Sequence, residues 1–437
     1  MEKFAFLRLD RLPSPDRDDL LLQLPGRMRE IGYDQQLASS AAALNQGPVA
    51  LAALLRRTAD GQPAQLAYRL WLLAQWLSSE QAAQVFGPDL LERLLEWGLL
   101  AEVEGRVGAT VDLYPVGGDY LATDRQIGLG RRLEAVYPPG IDSYSLRRML
   151  PSFKVERALD LCTGSGIQAL GLKADHTEAV DLSPRAAEFA DFNFALNQPS
   201  RSRAIHQGAL FEPLADRPYD LIVSNPPWVP TPDGEVELFR GGGLDGEFIT
   251  RQIFEGAAQW LAPEGRLVVY VEYPHLKGQS YPERVRGWLG QGDWGIALVN
   301  MLHLSTEEYV AGQVASHTGQ DIDREFERWM LGYERAGIEA MSRAVVYVVP
   351  GGPFEVCLEA SHPTESQDWV GSWLENLGRS GTRLHSKAQL WTSGERARVE
   401  WPGSCLHPVE LDPTEQAALT GQAGQFAVAL RARMILE

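Results

Sequence analysis

Cysteine is scarce. The 437 residues contain three, Cys162, Cys357 and Cys405, odd in number and far apart. They allow no disulfide framework and no zinc-ligand spacing, and a reducing, cytoplasmic setting fits them best. No run reaches the roughly 18 apolar residues of a membrane helix. The opening MEKFAFLRLDRLPSPDRDD has no apolar core for a signal peptide, so no membrane association is expected. Long Lys/Arg runs are missing as well. The formal net charge is -18, and residues 1–120 and 351–437 are each acidic. Such a balance repels phosphate backbones and membrane surfaces in general, although screening still permits a local basic patch. The chain does not read as a nonspecific nucleic-acid binder. Low-complexity tracts and internal repeats are absent too.

What is present is globular. Apolar residues make up 44% and charged residues 22%, a soluble-protein balance, and the length suits two or three domains. Residues 1–100 read mainly as helices, with apolar residues at helical spacing in PVALAALLRR, QLAYRLWLLAQWLSS and PDLLERLLEWGLL. Residues 104–124 then alternate like a strand pair broken by glycines. A helix followed by a hairpin is either the end of a winged helix or a helical cap with a connecting hairpin. From about 155 strands alternate with helices: ERALDLCTG, IQALGLKA, TEAVDLS, PRAAEFADFNFALNQ, RAIHQGA, YDLIVSNP, EFITRQIFEGAAQWL, RLVVYVEY and YPERVRGWLG. This alternation predicts an α/β fold, a parallel sheet with helices on both faces. GIALVNMLH and RAVVYVVPG add two strands, with an insertion or crossover containing DREFERWMLGYERAG between them. The expected division is a mainly helical substrate-recognition domain over 1–124, the sheet domain over 125–351, and a small α+β appendage over 352–437.

Chemistry concentrates at two strand ends. ALDLCTGSG (158–166) runs a strand into a glycine turn. Gly164 and Gly166 let backbone approach a ligand and a helix closely. No GK[ST] follows and GxGxxG is incomplete, so a phosphate-cradling P-loop is excluded. Asp160 at the strand's carboxyl end repels an anion but suits a cationic amine. Asp181 ends the next strand at the distance from the glycine turn where an acid accepts from ribose hydroxyls. Ser183 is the expected N-cap of the helix that follows, which leaves Asp181 for a ligand. An adenosine-containing ligand with a positive amine satisfies all of this, and S-adenosylmethionine has both features. SNPPW (224–228) ends the fourth strand, at the sheet edge where open α/β folds bind ligands. Pro226 and Pro227 fix φ and remove N–H donors. The Asn225 side-chain oxygen and the Pro226 carbonyl can both accept from one planar –NH2, and Trp228 offers a flat face. His206 and His275 show no metal or triad pattern. Arg201, Arg203, Arg147 and Arg148 read as a solvated face.

Together DLCTGSG and NPPW resemble the glycine motif and the [DNS]PP[YFW] motif of class I S-adenosylmethionine-dependent methyltransferases that modify planar nitrogens. LFEP (210–213), YDLIVSNPPW (219–228) and GGLDGEFITRQI (242–253) are most similar to release-factor and ribosomal-protein glutamine methyltransferases. The specific match covers about 155–275. The resemblance implies a Rossmann-like class I sheet. It implies that Asp160, Cys162, Gly164 and Gly166 lie against the cofactor's methionine part, that Asp181 binds the ribose and that Leu182 flanks the adenine. Asn225 and Pro226 would hold the target nitrogen, with Pro227 stiffening the turn and Trp228 stacking on the target group. Ala209, followed by Leu210 in the cofactor-binding stretch, stands where the family usually has an acid contacting the adenine amine. Cys162 occupies the first glycine position of the pattern. Asp142, Ser143 and Tyr144 fall where the family closes over the cofactor. The favoured substrate is a protein glutamine amide of the translation apparatus. The alternatives are an exocyclic amine of adenine or guanine in RNA or DNA, and a non-catalytic cofactor-binding scaffold. No metal is expected.

Overall fold

The computed structural model describes residues 9–14, 18–34, 48–59, 61–125, 135–151, 153–215, 217–232, 241–315 and 321–350, together with the backbone of four short strands between 355 and 411. The chain divides into two compact units. One comprises Met1–Gly140, Thr163–Leu170 and Ala179–Ala209; the other comprises Ile141–Cys162, Gly171–Glu178 and Leu210–Glu437.

The first unit begins with helices α1 (Leu24–Glu30), α2 (Pro48–Arg57) and α3 (Pro63–Trp71). Pro63 opens α3, where a missing N–H costs nothing. The apolar run after it, expected as one long helix, stops at Trp71. Ala74 takes φ 53, and the chain turns into strand β1 (Leu77–Ser78). Ser78 then caps α4 (Ser79–Phe86) through a capping box with Gln81. Gly87 at φ 76 separates α4 from α5 (Pro88–Glu96), which also starts with proline. Strands β2 (Leu100–Val103) and β3 (Arg106–Ala109) follow, and β1 pairs with β3 to give the order β1-β3-β2. Gly108 is obligatory in that sheet, because a Cβ there would sit 2.8 Å from the Trp76 indole. A second hairpin, β4 (Val111–Val116) and β5 (Asp119–Asp124), corresponds to the glycine-broken pair read from the sequence.

Helix α7 (Ile167–Gly171) begins in this unit and is shorter than its apolar run suggests. Helix α8 (Pro184–Asn197) has the expected N-cap: Ser183 accepts from Ala186 N. Its asparagines act as a surrogate strand against β5. Asn197 Oδ1 accepts from Tyr120 N at 2.7 Å and Asn197 Nδ2 donates to Tyr120 O at 2.8 Å. Asn193 repeats the pattern at Ala122, at 2.7 and 2.8 Å, and its Nδ2 also donates to Ser165 O at 2.8 Å. The end of β7 (Ala174–Asp181) lies here with β8 (Ser202–Gln207) at the sheet's edge.

The second unit holds β6 (Val155–Leu161), the start of β7, and β9 (Tyr219–Ser224), β10 (Leu261–Leu276), β11 (Trp294–Ser305), β12 (Ile338–Pro350) and β13 (Glu355–Glu359). Their order is β13-β11-β12-β10-β9-β6-β7. The pairs β6/β9 and β9/β10 are parallel, as strand–helix alternation predicts. β12 departs from that expectation: it is antiparallel to both β10 and β11. The helices α11 (Thr306–Val314) and α12 (Ile322–Ala336) account for the reversal, returning the chain from β11 into the slot beside β10. They carry their own apolar cluster, in which Tyr309, Trp329 and Tyr333 pack with Val229. Helices α6 (Ile141–Met149), α9 (Phe248–Trp260) and α10 (Tyr281–Leu289) complete the unit. Leu146 and Met149 of α6 join Leu221, Val223 and Val268 in its core. Among the described residues no helix is long and apolar enough to cross a membrane. Of the expected 352–437 appendage, β13, β14 (Gln389–Ser393), β15 (Arg396–Glu400) and β16 (Val409–Leu411) are seen, the last three as one antiparallel sheet. The closing GQFAVALRARMILE and Cys405 lie outside the described residues.

Candidate active site

In the second unit, β6 and β9 end side by side, with Leu161 opposite Ser224. Ser224 Oγ donates to Leu161 O at 2.8 Å, tying the two strand ends together. The strands that lead into DLCTG and into NPPW therefore end at the same carboxyl edge. Asp160, one residue before the end of β6, is fully buried. Cys162 is a reduced cysteine with φ 57. That left-handed backbone explains why glycine suits this position, since a side chain there carries strain of about 1–2 kcal/mol.

Asn225 follows β9 directly and its amide is oriented on both sides. Its Nδ2 donates to Asp142 Oδ2 at 2.6 Å, and its Oδ1 accepts from Trp228 Nε1 at 3.4 Å. Pro226 is buried, whereas Pro227 and Trp228 are half-buried. The Trp228 indole rests on the Tyr270 ring, with centroids 6.0 Å apart at 46°. It is neither sealed in the core nor loose on the surface. The loop 241–246 braces the turn from behind: Gly242 N donates to Val229 O at 2.8 Å and Thr231 N to Gly243 O at 2.9 Å. A Cβ on Gly246 would meet Trp228 O at 2.5 Å, so the glycine–aspartate–glycine signature reflects close backbone packing. Tyr333 Oη donates to Pro230 O at 2.9 Å from α12.

β10 runs past the end of β9, since Val269 pairs with Ser224. Glu272 therefore projects beyond the edge. It is buried, accepts from Tyr309 Oη at 2.5 Å and is paired with Arg343. Burial pushes its carboxyl up to about 7, against the opposing pull of Arg343 and Tyr309, and Asp142 adds to the rise. This cluster was not found from the sequence. Its members are spread over β10, β12 and α11, and no local pattern links them.

The first unit supplies the other expected residues. Gly164 has φ 54, and a Cβ there would meet nothing within 4 Å. Gly166, at φ 83, presses on α8: its Cβ would be 3.1 Å from Ala190 Cα. One glycine thus borders open space and the other serves packing. Asp181 at the end of β7 accepts from Gly164 N at 2.8 Å and Ser183 N at 2.9 Å. Burial raises its carboxyl above the ordinary value, opposed by backbone N–H groups of Ser183, Gly164 and Leu182. Leu182 is 53% exposed, an apolar surface beside that acid. Gly208 N donates to Asp181 O at 2.9 Å, which brings Ala209 next to the strand end; Leu210, where the second unit resumes, has φ 46.

Other residues have structural partners. His275 Nε2 and His303 Nδ1 share Ser342 Oγ at 2.8 and 3.0 Å. Arg203 pairs with Asp191 at 2.8 Å and Arg201 bonds Gln198. Among the described residues no group of three acids, histidines or cysteines could hold a metal ion.

Residues 141–289 match the family described as Methyltransferase small domain. Over 154 residues the chain is 38% identical to the ribosomal protein uL3 glutamine methyltransferase of Bradyrhizobium diazoefficiens, covering 32% of this chain and 48% of that one. Over 145 residues it is 34% identical to the release factor glutamine methyltransferase of Deinococcus radiodurans, covering 30% and 51%. The chain thus spans about half the length of the curated relatives it matches. Among solved structures, the Haemonchus contortus phospholethanolamine N-methyltransferase 2 is similar at 15% identity and TM-score 0.29, over 48% of this chain and 52% of that one. The residues that match this family, 141–289, include both DLCTG and NPPW, and they lie on a Rossmann-like α/β sheet in which β6, β9 and β10 run parallel.

Proposed function

We propose that the protein is an S-adenosylmethionine-dependent N-methyltransferase that modifies a glutamine side-chain amide of a translation-apparatus protein. One observation carries this reading: Asn225 keeps its amide nitrogen on Asp142, so its oxygen, which accepts from Trp228 Nε1 through one lone pair, keeps the other for a donor. The curated relatives are named as glutamine methyltransferases of ribosomal protein uL3 and of release factors, and the substrate assignment follows them.

The residues fit the cofactor. The open space at Gly164 admits a ligand against backbone. Buried Asp160 suits a cationic amine, and each Asp181 oxygen keeps acceptor capacity for a ribose hydroxyl after its backbone bond. Leu182 offers apolar surface to an adenine. S-adenosylmethionine would supply an electrophilic methyl group. The chain's own contribution is placement. Asn225 Oδ1 and the Pro226 carbonyl accept both hydrogens of the target –NH2, which aims the nitrogen lone pair. Trp228 keeps the amide plane flat. Holding reactants in this way is worth several kcal/mol, with about 7–11 as the upper range. The nitrogen starts neutral and gains positive charge as it bonds carbon, so the two oxygens bind it more tightly in the transition state. Its proton leaves afterwards to water, and no general base is needed beforehand.

The fold of residues 63–109 also bears on the substrate. A helix, a short strand, two helices and a hairpin, in the sheet order β1-β3-β2, support the winged-helix-like reading of the recognition domain. Its α5 exposes Asp89, Glu92 and Glu96, and its hairpin exposes Glu102 and Glu104. Arg93 is tied to Asp18 at 3.0 Å and to Glu96. With Arg106 as the exposed cation of the hairpin, acids still outnumber bases on these elements, a balance that favours a protein over a nucleobase as substrate. The test is transfer of tritiated methyl groups into cell extract pretreated with nuclease or with protease. Label that survives nuclease and is lost with protease is expected; the reverse pattern would replace glutamine with a nucleobase.

A further inference from the structure

Resting on that reading, we infer that Asp142 is a positioning residue that fixes which end of the Asn225 amide faces the substrate. The two ends of an asparagine amide are nearly isosteric, so only their partners distinguish them. Asp142 Oδ2 accepts from Asn225 Nδ2 at 2.6 Å across 83 residues of sequence. As the acceptor of the short bond Asp142 holds the nitrogen end, while at the other end Trp228 Nε1 donates to Oδ1 over a longer 3.4 Å. A flipped amide would set oxygen against oxygen at Asp142. It would also present a donor to a target –NH2 that must itself donate.

The carboxylate is placed by packing as well as by charge. It belongs to the first turn of α6, where unsatisfied helix N–H groups favour an anion. α6 is anchored through buried Leu146 and Met149, and Tyr347 Oη donates to Met149 O at 2.8 Å. Ser143 Oγ adds a weak contact to Oδ2 at 3.4 Å. Asp142 thus acts through Asn225, with no role required at the methyl group itself.

The test compares Asp142→Asn and Asp142→Leu with the wild type. Tritiated S-adenosylmethionine is supplied with purified ribosomal protein uL3 and with a purified release factor, and cofactor affinity is measured by calorimetry. Asp142→Asn can still accept from Asn225 Nδ2 through its own oxygen, so its kcat stays within about threefold of wild type. Asp142→Leu removes the acceptor, and kcat falls by about tenfold or more while KM and cofactor affinity hold within about twofold. An unchanged kcat in the leucine variant overturns the inference. So does an asparagine variant as slow as the leucine one, or a loss confined to cofactor affinity. Should the leucine variant not fold, Asp142→Ala takes its place. If the wild type labels neither protein, the glutamine reading fails; crystal structures of wild type and variant then judge the positioning role alone. Finding the Asn225 side chain in the same orientation against Trp228 Nε1 in both would overturn it.

Discussion

Gly164 N donates to Asp181 Oδ2 at 2.8 Å, while Ser183 N holds the other carboxylate oxygen at 2.9 Å. The acid assigned to the ribose is therefore also the clasp between the glycine turn and the end of β7. Asp181→Ala is expected to weaken S-adenosylmethionine binding by about tenfold or more, roughly 1.4 kcal/mol, with kcat at saturating cofactor little changed. Calorimetric titration checks this, and an unaltered affinity would remove the ribose assignment.

The two glycines of the turn should fail in different ways. Gly166→Ala drives a Cβ to 3.1 Å from Ala190 Cα at φ 83, and overpacking of this kind costs about 1–3 kcal/mol of stability. Gly164→Ala meets nothing within 4 Å. It pays only the left-handed backbone strain of about 1–2 kcal/mol, but it places a methyl where the ligand is to lie. Denaturant unfolding should rank Gly166→Ala as the less stable variant. Cofactor titration should show the greater loss in Gly164→Ala for protein that remains folded.

Asn225→Ala removes one of two acceptors that tighten as the nitrogen becomes positive. Loss of one such preorganised group costs about 10²–10³ in kcat where it has been measured, and a loss of that order is expected here with cofactor affinity retained. Parallel single-turnover and binding measurements separate the two quantities. An equal decline in both would show that Asn225 holds the cofactor instead of the target.

Glu272 gives a pH signature. Burial lifts its carboxyl to about 7 from 4.5, so between those values the folded state binds more protons than the unfolded one. Stability contributed by this group is therefore present at low pH and lost as pH rises through about 7. Glu272→Gln mimics the neutral acid, so its stability relative to wild type should improve between pH 4.5 and 8. Thermal unfolding of both proteins across that range reads the sign. A gap that narrows in the opposite direction would mean that the Arg343 contact outweighs burial.

Much of the site was legible because its chemistry is local. DLCTGSG and SNPPW each announce a strand end and a constrained turn within a few residues, and Ser183 with Pro184 marks a helix start by cap chemistry alone. The partners of these turns were not legible. Asp142 reaches Asn225 across 83 residues, and Glu272 meets Tyr309 across 37. Neither pair leaves a periodic trace. Asp142 had two weak signals, its place at a helix start after Pro138-Pro139-Gly140 and the family resemblance of that stretch, and neither pointed to Asn225. The reversal of β12 was hidden for a related reason: RAVVYVVPG is buried on both faces, and a continuous apolar run reads alike in either direction. The early stop of α3 at Trp71 is a tertiary effect, since the apolar residues beyond it are just as buried.

The asparagine ladder on α8 sets a limit on how the protein can be dissected. Cutting the chain after residue 124, at the boundary drawn from the sequence, would strip β5 away from Asn193 and Asn197. Each abandoned amide that stays buried costs about 1–3 kcal/mol. Asn193 also steadies Ser165 inside the glycine turn, so a catalytic fragment without its N-terminal region should lose grip on the cofactor first, although every residue of DLCTGSG and NPPW would still be there.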